Sequence, residues 1–270
     1  VPETRFDRDT AVTRLEEDVF EARVDRGWWV VAGPNGGYVA ALLLRALTER
    51  VGEPDRTPRS LTLHYTRPPV EGPARIETRL ERRGRSLSTL TARMLQDGRL
   101  QALAVAAFSK PFDAAGYADR PMPEVPPPER CRGIDPRIPI HDRYEYGWAI
   151  GEPPFSRPEA HPPQSLCGGW IRLREPRPLD APLVAAYSDA FPPAIFSRVG
   201  PEGMEGFTGA VPTVDLTIHF RALPDSPAHA WTLAVFRSGF AREGFLEEDG
   251  EIWSADGTLV AQSRQLAIVR

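Results

Sequence analysis

Lysine is all but missing from this 270-residue sequence: of its 33 basic residues, only Lys110 is not an arginine. That skew reads as genome composition and says little about function. A basic excess is missing too. A net charge of -4 leaves nothing with which to neutralise a phosphate backbone, which argues against a nucleic-acid partner. Tyr38 to Leu44, among the longest apolar runs, is broken by Arg45 and falls far short of the ~20 residues that cross a bilayer. The opening stretch VPETRFDRDT lacks a charged-then-apolar leader pattern. Cys131 and Cys167 stand far apart and follow no metal-ligand spacing. These absences set the expectation of a cytoplasmic protein with reduced thiols, no membrane association and no bound metal. Two catalytic signatures are also absent. No Gly-x-Ser-x-Gly presents a serine nucleophile, and GPNGG at 33–37 has neither the lysine of a P-loop nor the spacing of a dinucleotide fingerprint.

What is present is the composition of a globular protein, 41% hydrophobic and 26% charged, with enough chain for one large or two ordinary domains. Nearly half of the prolines fall between Pro111 and Pro163, a composition that suits extended connector and surface loop. On either side the pattern repeats imperfectly. The first half reads as a helix, GGYVAALLLRALTERV, followed by four strands from SLTLHYTRP to RLQALAVAAFSK. The second half reads as a helix, PLVAAYSDAFPPAIF, followed by four strands from VPTVDLTIHFRALP to TLVAQSRQLAIVR. LTLHY aligns with LTIHF, and Asp97-Gly98 and Asp256-Gly257 are hairpin signals. The first helix offers an apolar stripe of Val39, Leu42, Leu43, Ala46 and Leu47 for a sheet to cover. The expected organisation is α+β in duplicated halves: 1–112, a proline-rich linker over 113–140, and 141–270.

Two adjacent glycines, Gly36 and Gly37, stand at the start of that first helix. Glycine costs about 1 kcal/mol relative to alanine inside a helix, but at its entry it lets another group approach the amides. The second-half helix opens with PRPLDAPL and has no such pair. The last strand supplies the converse. Gln265 shares a strand face with Leu259, Ala261, Ser263, Ala267 and Val269, so it points inward and needs hydrogen-bond partners. Its first-half counterpart is Ala106, so packing does not demand an amide there.

This ordering resembles the acyl-CoA thioesterase II family, the double hot-dog thioesterases, over nearly the whole chain apart from its proline-rich middle. AAYSDAF is similar to the family helix that carries a catalytic Asp, which falls on Asp189. PTVDLTIHF resembles the strand with the catalytic Thr, which falls on Thr213, and LVAQSRQLAIVR the terminal strand with the catalytic Gln, at Gln265. Gly36 and Gly37 match the Gly-Gly-Gln helix start, with Tyr38 in place of the Gln; Leu216 and Thr62 stand where the family carries His. The resemblance implies a tandem hot-dog fold, each half an antiparallel sheet wrapped around a central helix. It further implies hydrolysis of an acyl-CoA or acyl-carrier thioester by water that Asp189 activates and Thr213 and Gln265 position. Gly36, Gly37 and Tyr38 would then bind the thioester, the amide of Gly37 or Tyr38 stabilising the oxyanion. No cofactor is required, one composite site per chain is expected, and a homo-oligomer is possible. Two alternatives remain: a hot-dog enoyl-CoA hydratase or dehydratase, against which counts the lack of an Asp–His pair near Asp189, and a non-catalytic acyl-thioester binding protein. His64 and His219 read as strand residues, and His141, His161 and His229 as loop residues. Trp28, Trp29 and Trp170 read as core, with the lining of an acyl tunnel as the alternative.

Overall fold

A computed structural model describes residues 3–31, 33–151, 153, 164–199 and 211–269. The chain opens with a short helix α1 (Arg5–Asp9) and two strands, β1 (Val12–Glu16) and β2 (Val19–Val24), before the long helix α2 (Gly36–Val51). Four strands follow: β3 (Thr57–Tyr65), β4 (Gly72–Arg83), β5 (Leu87–Gln96) and β6 (Arg99–Ser109). The second half repeats the scheme with β7 (Tyr144–Ile150), β8 (Ser165–Leu173), α3 (Ala181–Tyr187) and α4 (Ile195–Val199). It closes with β9 (Thr213–Phe220), β10 (Thr232–Ser238), the two-residue β11 (Ala241–Arg242), β12 (Phe245–Ser254) and β13 (Leu259–Ile268). The α+β reading and the helix at 36–51 stand as expected. The strand pair ahead of each central helix adds to the expected helix and four strands.

All strands join one antiparallel sheet in the order β1-β2-β4-β5-β6-β3-β9-β13-β12-β10-β8-β7, with β11 pairing to β12. That order reads the same from either end once the halves are equated. The halves meet where β3 pairs with β9. Thr62 faces Thr217 there, and Leu61 and Leu63 face Ile218 and Leu216. Because LTLHY aligns with LTIHF, a pseudo-two-fold axis passes between the two threonines, whose hydroxyls lie 3.1 Å apart. His64 and His219 sit exposed on the outward side of these strands.

Asn35 caps α2, its Oδ1 accepting the Tyr38 N–H at 3.0 Å, and Gly52 ends the helix in the left-handed conformation at φ 65°. The burial of α2 exceeds the expected stripe: every residue from Tyr38 to Leu44 is fully buried. The helix is enclosed because β3, β4, β5 and β6 contact it on one side and α3 packs against it on the other. Trp28 stacks on Tyr38 with ring centroids 5.1 Å apart, so this tryptophan belongs to the core.

The second central helix departs from expectation. Residues 182–196 read as one helix, yet α3 ends at Tyr187 and α4 begins only at Ile195. Pro192 and Pro193 lack the N–H a helix needs and push their predecessors out of the α region. The proline-rich connector is also not merely surface. Met122 and Val125 pack on a second apolar cluster of Trp170, Leu233, Val235 and Trp253, and the Trp170 indole donates to the Pro126 carbonyl at 2.8 Å. Both cysteines are free thiols, Cys167 buried in β8 and Cys131 in the connector. His141 is buried in a 3-10 turn, His229 is exposed in a loop, and His161 lies outside the described residues. No helix among the described residues is long and apolar enough to cross a membrane.

Candidate active site

Asp189 follows α3 rather than riding on it, in a turn in which its N–H reaches back to Ala186 O. The early end of the helix turns its carboxyl toward the start of α2. Asn35 Nδ2 donates to Asp189 Oδ2 at 3.0 Å and to the Asp189 carbonyl at 2.5 Å, and Gly37 N–H donates to Oδ2 at 3.2 Å. The two glycines are required for different reasons. A Cβ on Gly37 would stand 2.4 Å from the Ala186 carbonyl oxygen, so this residue permits the close approach of α3. A Cβ on Gly36 would stand 2.9 Å from Asp189 Oδ2 and 3.1 Å from the Tyr65 hydroxyl. The electronegative group at this helix start is therefore a carboxylate of the chain itself.

This arrangement corrects two expectations. Neither the Gly37 nor the Tyr38 amide is bare: Asp189 takes the first and Asn35 the second. The Tyr38 side chain also points away from this centre. Its ring is fully buried, and its hydroxyl donates to Asp9 O at 2.7 Å and accepts from Asp25 N–H at 3.1 Å.

Thr213 and Gln265 arrive from neighbouring strands. Simple alternation along β9 would place Thr213 outward with Asp215, Thr217 and His219. A β-bulge prevents this. Leu216 pairs with Gln265 and Asp215 with Leu266, but Thr213 then pairs with the inward Ala267, leaving Val214 as the extra residue. Turned inward, Thr213 donates its hydroxyl hydrogen to Gln265 Oε1 at 2.8 Å. Gln265 Nε2 donates to Glu248 Oε1 at 2.7 Å. Glu248 Oε2 in turn accepts the Ala194 N–H at 2.5 Å, which anchors the loop that carries Asp189.

Burial pushes the Asp189 carboxyl from 3.8 up to about 6, against the opposing pull of hydrogen bonds from Gly37 and Gly36 N–H and from the Gln265 side chain. Burial also pushes Glu248 from 4.5 up to about 7, with the Ala194 N–H and Gln265 pulling down and the nearby Asp189 charge adding to the rise. Tyr65 donates its hydroxyl hydrogen to Gly36 O at 2.8 Å, and burial together with the charges of Asp189 and Asp215 holds its phenol protonated.

The structure thus brings Asp189, Thr213, Gln265, Gly36 and Gly37 into one place and sets Tyr38 apart. Sequence reasoning missed Asn35, Tyr65 and Glu248. A cleft of about 500 Å³ between Arg67, Gln96, Arg99 and Gln101 has none of these residues in its wall.

Two sheet-and-helix halves related by a pseudo-dyad, with one polar centre spanning them, define a tandem hot-dog protein. The chain belongs to the acyl-CoA thioesterase family: the family's N-terminal domain model matches residues 25–109 and its C-terminal domain model residues 117–269. A hot-dog-fold protein from Alicyclobacillus acidocaldarius is 28% identical and superposes with a TM-score of 0.86 over 99% of this chain and 98% of its own. An uncharacterized protein of Mycobacterium tuberculosis is 28% identical over 93% of this chain and 91% of its length. The acyl-CoA thioesterase II TesB2 from Mycobacterium marinum shares the fold, at 21% identity and a TM-score of 0.77 over 98% of each chain.

Proposed function

We propose that this protein hydrolyses acyl-CoA thioesters, with Asp189 as general base toward a water held by Thr213 and Gln265. The supporting observation is the gathering of an acid, a hydroxyl and a carboxamide at the start of α2 around a carboxyl held near 6. A base with that proton affinity is ionised at neutral pH yet basic enough to take a proton in the transition state. Water adds to the thioester carbonyl carbon as its proton passes to Asp189. The tetrahedral oxyanion develops beside the positive end of the α2 dipole. Collapse breaks the carbon–sulfur bond, and the proton on Asp189 returns to the departing thiolate. The products are the free acid and CoA. This route needs no covalent intermediate.

The test is a panel of acyl-CoA esters assayed for free thiol, comparing the wild-type chain with Asp189→Asn. Loss of about 100-fold or more in kcat from a folded variant is expected. Equal rates would reject Asp189 as the base, and saturable binding without thiol release across the panel would favour a binding protein.

A further inference from the structure

Glu248 is 3% exposed and forms no ion pair among the described residues. A buried carboxylate without a counter-charge loses hydration that nothing repays. The groups facing it do not relieve that cost. From the turn after α3 comes the Asp189 charge, from β12 itself the neighbouring Glu247, and from β8 the Cys167 thiol, kept protonated by burial and then by the Glu248 charge. Among the described residues two hydrogen bonds hold Glu248, from Gln265 Nε2 and from Ala194 N–H.

Packing does not require an acid at this position. Glu248 pairs with Gln265, which pairs with Leu216. At the pseudo-equivalent places Leu90 pairs with Ala106, which pairs with Leu61. The matching bulge leaves Pro58 where the second half has Thr213. The first half therefore fills the same three places with Pro58, Leu90 and Ala106, the latter two fully buried.

We propose that Glu248 is a positioning residue for the hydrolytic reaction: its carboxylate selects the one orientation of the Gln265 carboxamide that turns Oε1 to Thr213 and Nε2 to Asp189, and through Ala194 it fixes the loop bearing Asp189. The inference rests on the hydrolytic reading above. A side-chain amide has two faces of similar shape and opposite polarity. An ionised carboxylate only accepts, so it admits the NH2 face and rejects the carbonyl oxygen. Once protonated, Glu248 can donate to that oxygen instead, and the selection is lost.

The experiment measures kcat and KM against pH for the wild type, Glu248→Gln, Glu248→Asp and Glu248→Leu, with thermal midpoints for each. Two ionised carboxylates are needed in the wild type, so its acid limb should approach a two-proton slope, the apparent values belonging to the pair. Glu248→Gln should lower kcat by about tenfold or more, leave KM little changed and reduce the slope to one. Glu248→Asp should recover part of the rate. Glu248→Leu, with Leu90 as its precedent, should fold at least as stably as the wild type and be the slowest, which keeps the proposal testable if Glu248→Gln misfolds. Wild-type kcat in folded Glu248→Gln or Glu248→Leu, or an unchanged two-proton limb in Glu248→Gln, would overturn the proposal. Asp189→Asn run in parallel separates the two ideas. Full activity there would sink the role of Asp189, while the kcat and slope of Glu248→Gln would still decide that of Glu248.

Discussion

Asn35 and Asp189, 154 positions apart, are joined by two hydrogen bonds from a single side-chain amide. The oxygen of that amide caps α2. The helix cap of the first half and the acid of the second are therefore one unit, and asparagine suits the place because it both accepts and donates. Asn35→Ala should cost about 1 kcal/mol of stability for the lost cap and lower kcat further than folding explains, by about tenfold. Asn35→Asp would set a second carboxylate against Asp189 and move the acid limb of the rate profile to higher pH. Urea denaturation and thiol-release assays across pH check both.

The two glycines should separate stability from activity. Gly37→Ala places a methyl 2.4 Å from backbone of α3, which cannot yield without moving the helix, so a loss of about 1–3 kcal/mol is expected. Gly36→Ala meets the end of the Asp189 side chain at 2.9 Å and the Tyr65 hydroxyl at 3.1 Å. Both can swing aside, so the fold should survive while kcat falls about tenfold or more. A denaturation midpoint and a rate for each variant decide the matter.

Burial of Asp189 and Glu248 makes the native state weaker at neutral pH than in mild acid. The folded carboxyl of Asp189 titrates at about 6 and the unfolded one at 3.8. Below about 4 both states are protonated and no penalty exists. As pH rises from there through about 6, the unfolded chain releases its proton first and stability falls. At 1.36 kcal/mol per factor of ten the penalty is about 3 kcal/mol. Glu248 adds the same sign between 4.5 and about 7. Asp189→Asn should accordingly be more stable than the wild type at pH 8 and close to it at pH 4, seen as a difference in urea midpoint that vanishes on acidification.

The proposed role of Thr213 rests on its hydroxyl. Thr213→Val keeps the shape of a β-branched side chain but leaves Gln265 Oε1 without its partner, costing about 1–3 kcal/mol and lowering kcat. Thr213→Ser keeps the donor and should retain most of the activity. Equal rates for the valine and serine variants would remove Thr213 from the site.

Much of this was readable before any coordinates. The helix at 36–51 and the hairpin at Asp97-Gly98, where both residues have positive φ, follow from local rules. Gln265 announced itself as an amide on an apolar strand face. Glu248 carried the same signal, since it alternates with Leu246, Gly250 and Ile252, but the acidic run LEEDGE gave it the look of a solvated residue. The orientation of Thr213 was not legible, because a bulge reverses the strand's alternation and nothing in the residues marks it. The early end of α3 was signalled by Pro192 and Pro193, whose effect reached further toward the N-terminus than the proline rules alone state.

The axis between Thr62 and Thr217 relates two halves that differ in polarity at three matched positions, Pro58, Leu90 and Ala106 against Thr213, Glu248 and Gln265. If the proposed hydrolysis holds, a chain built this way should turn over one molecule of thioester at a time despite its doubled scaffold. Its saturation curve, if the chain acts alone, should be hyperbolic, and titration with a tight product analogue should reach its end point at one equivalent per polypeptide.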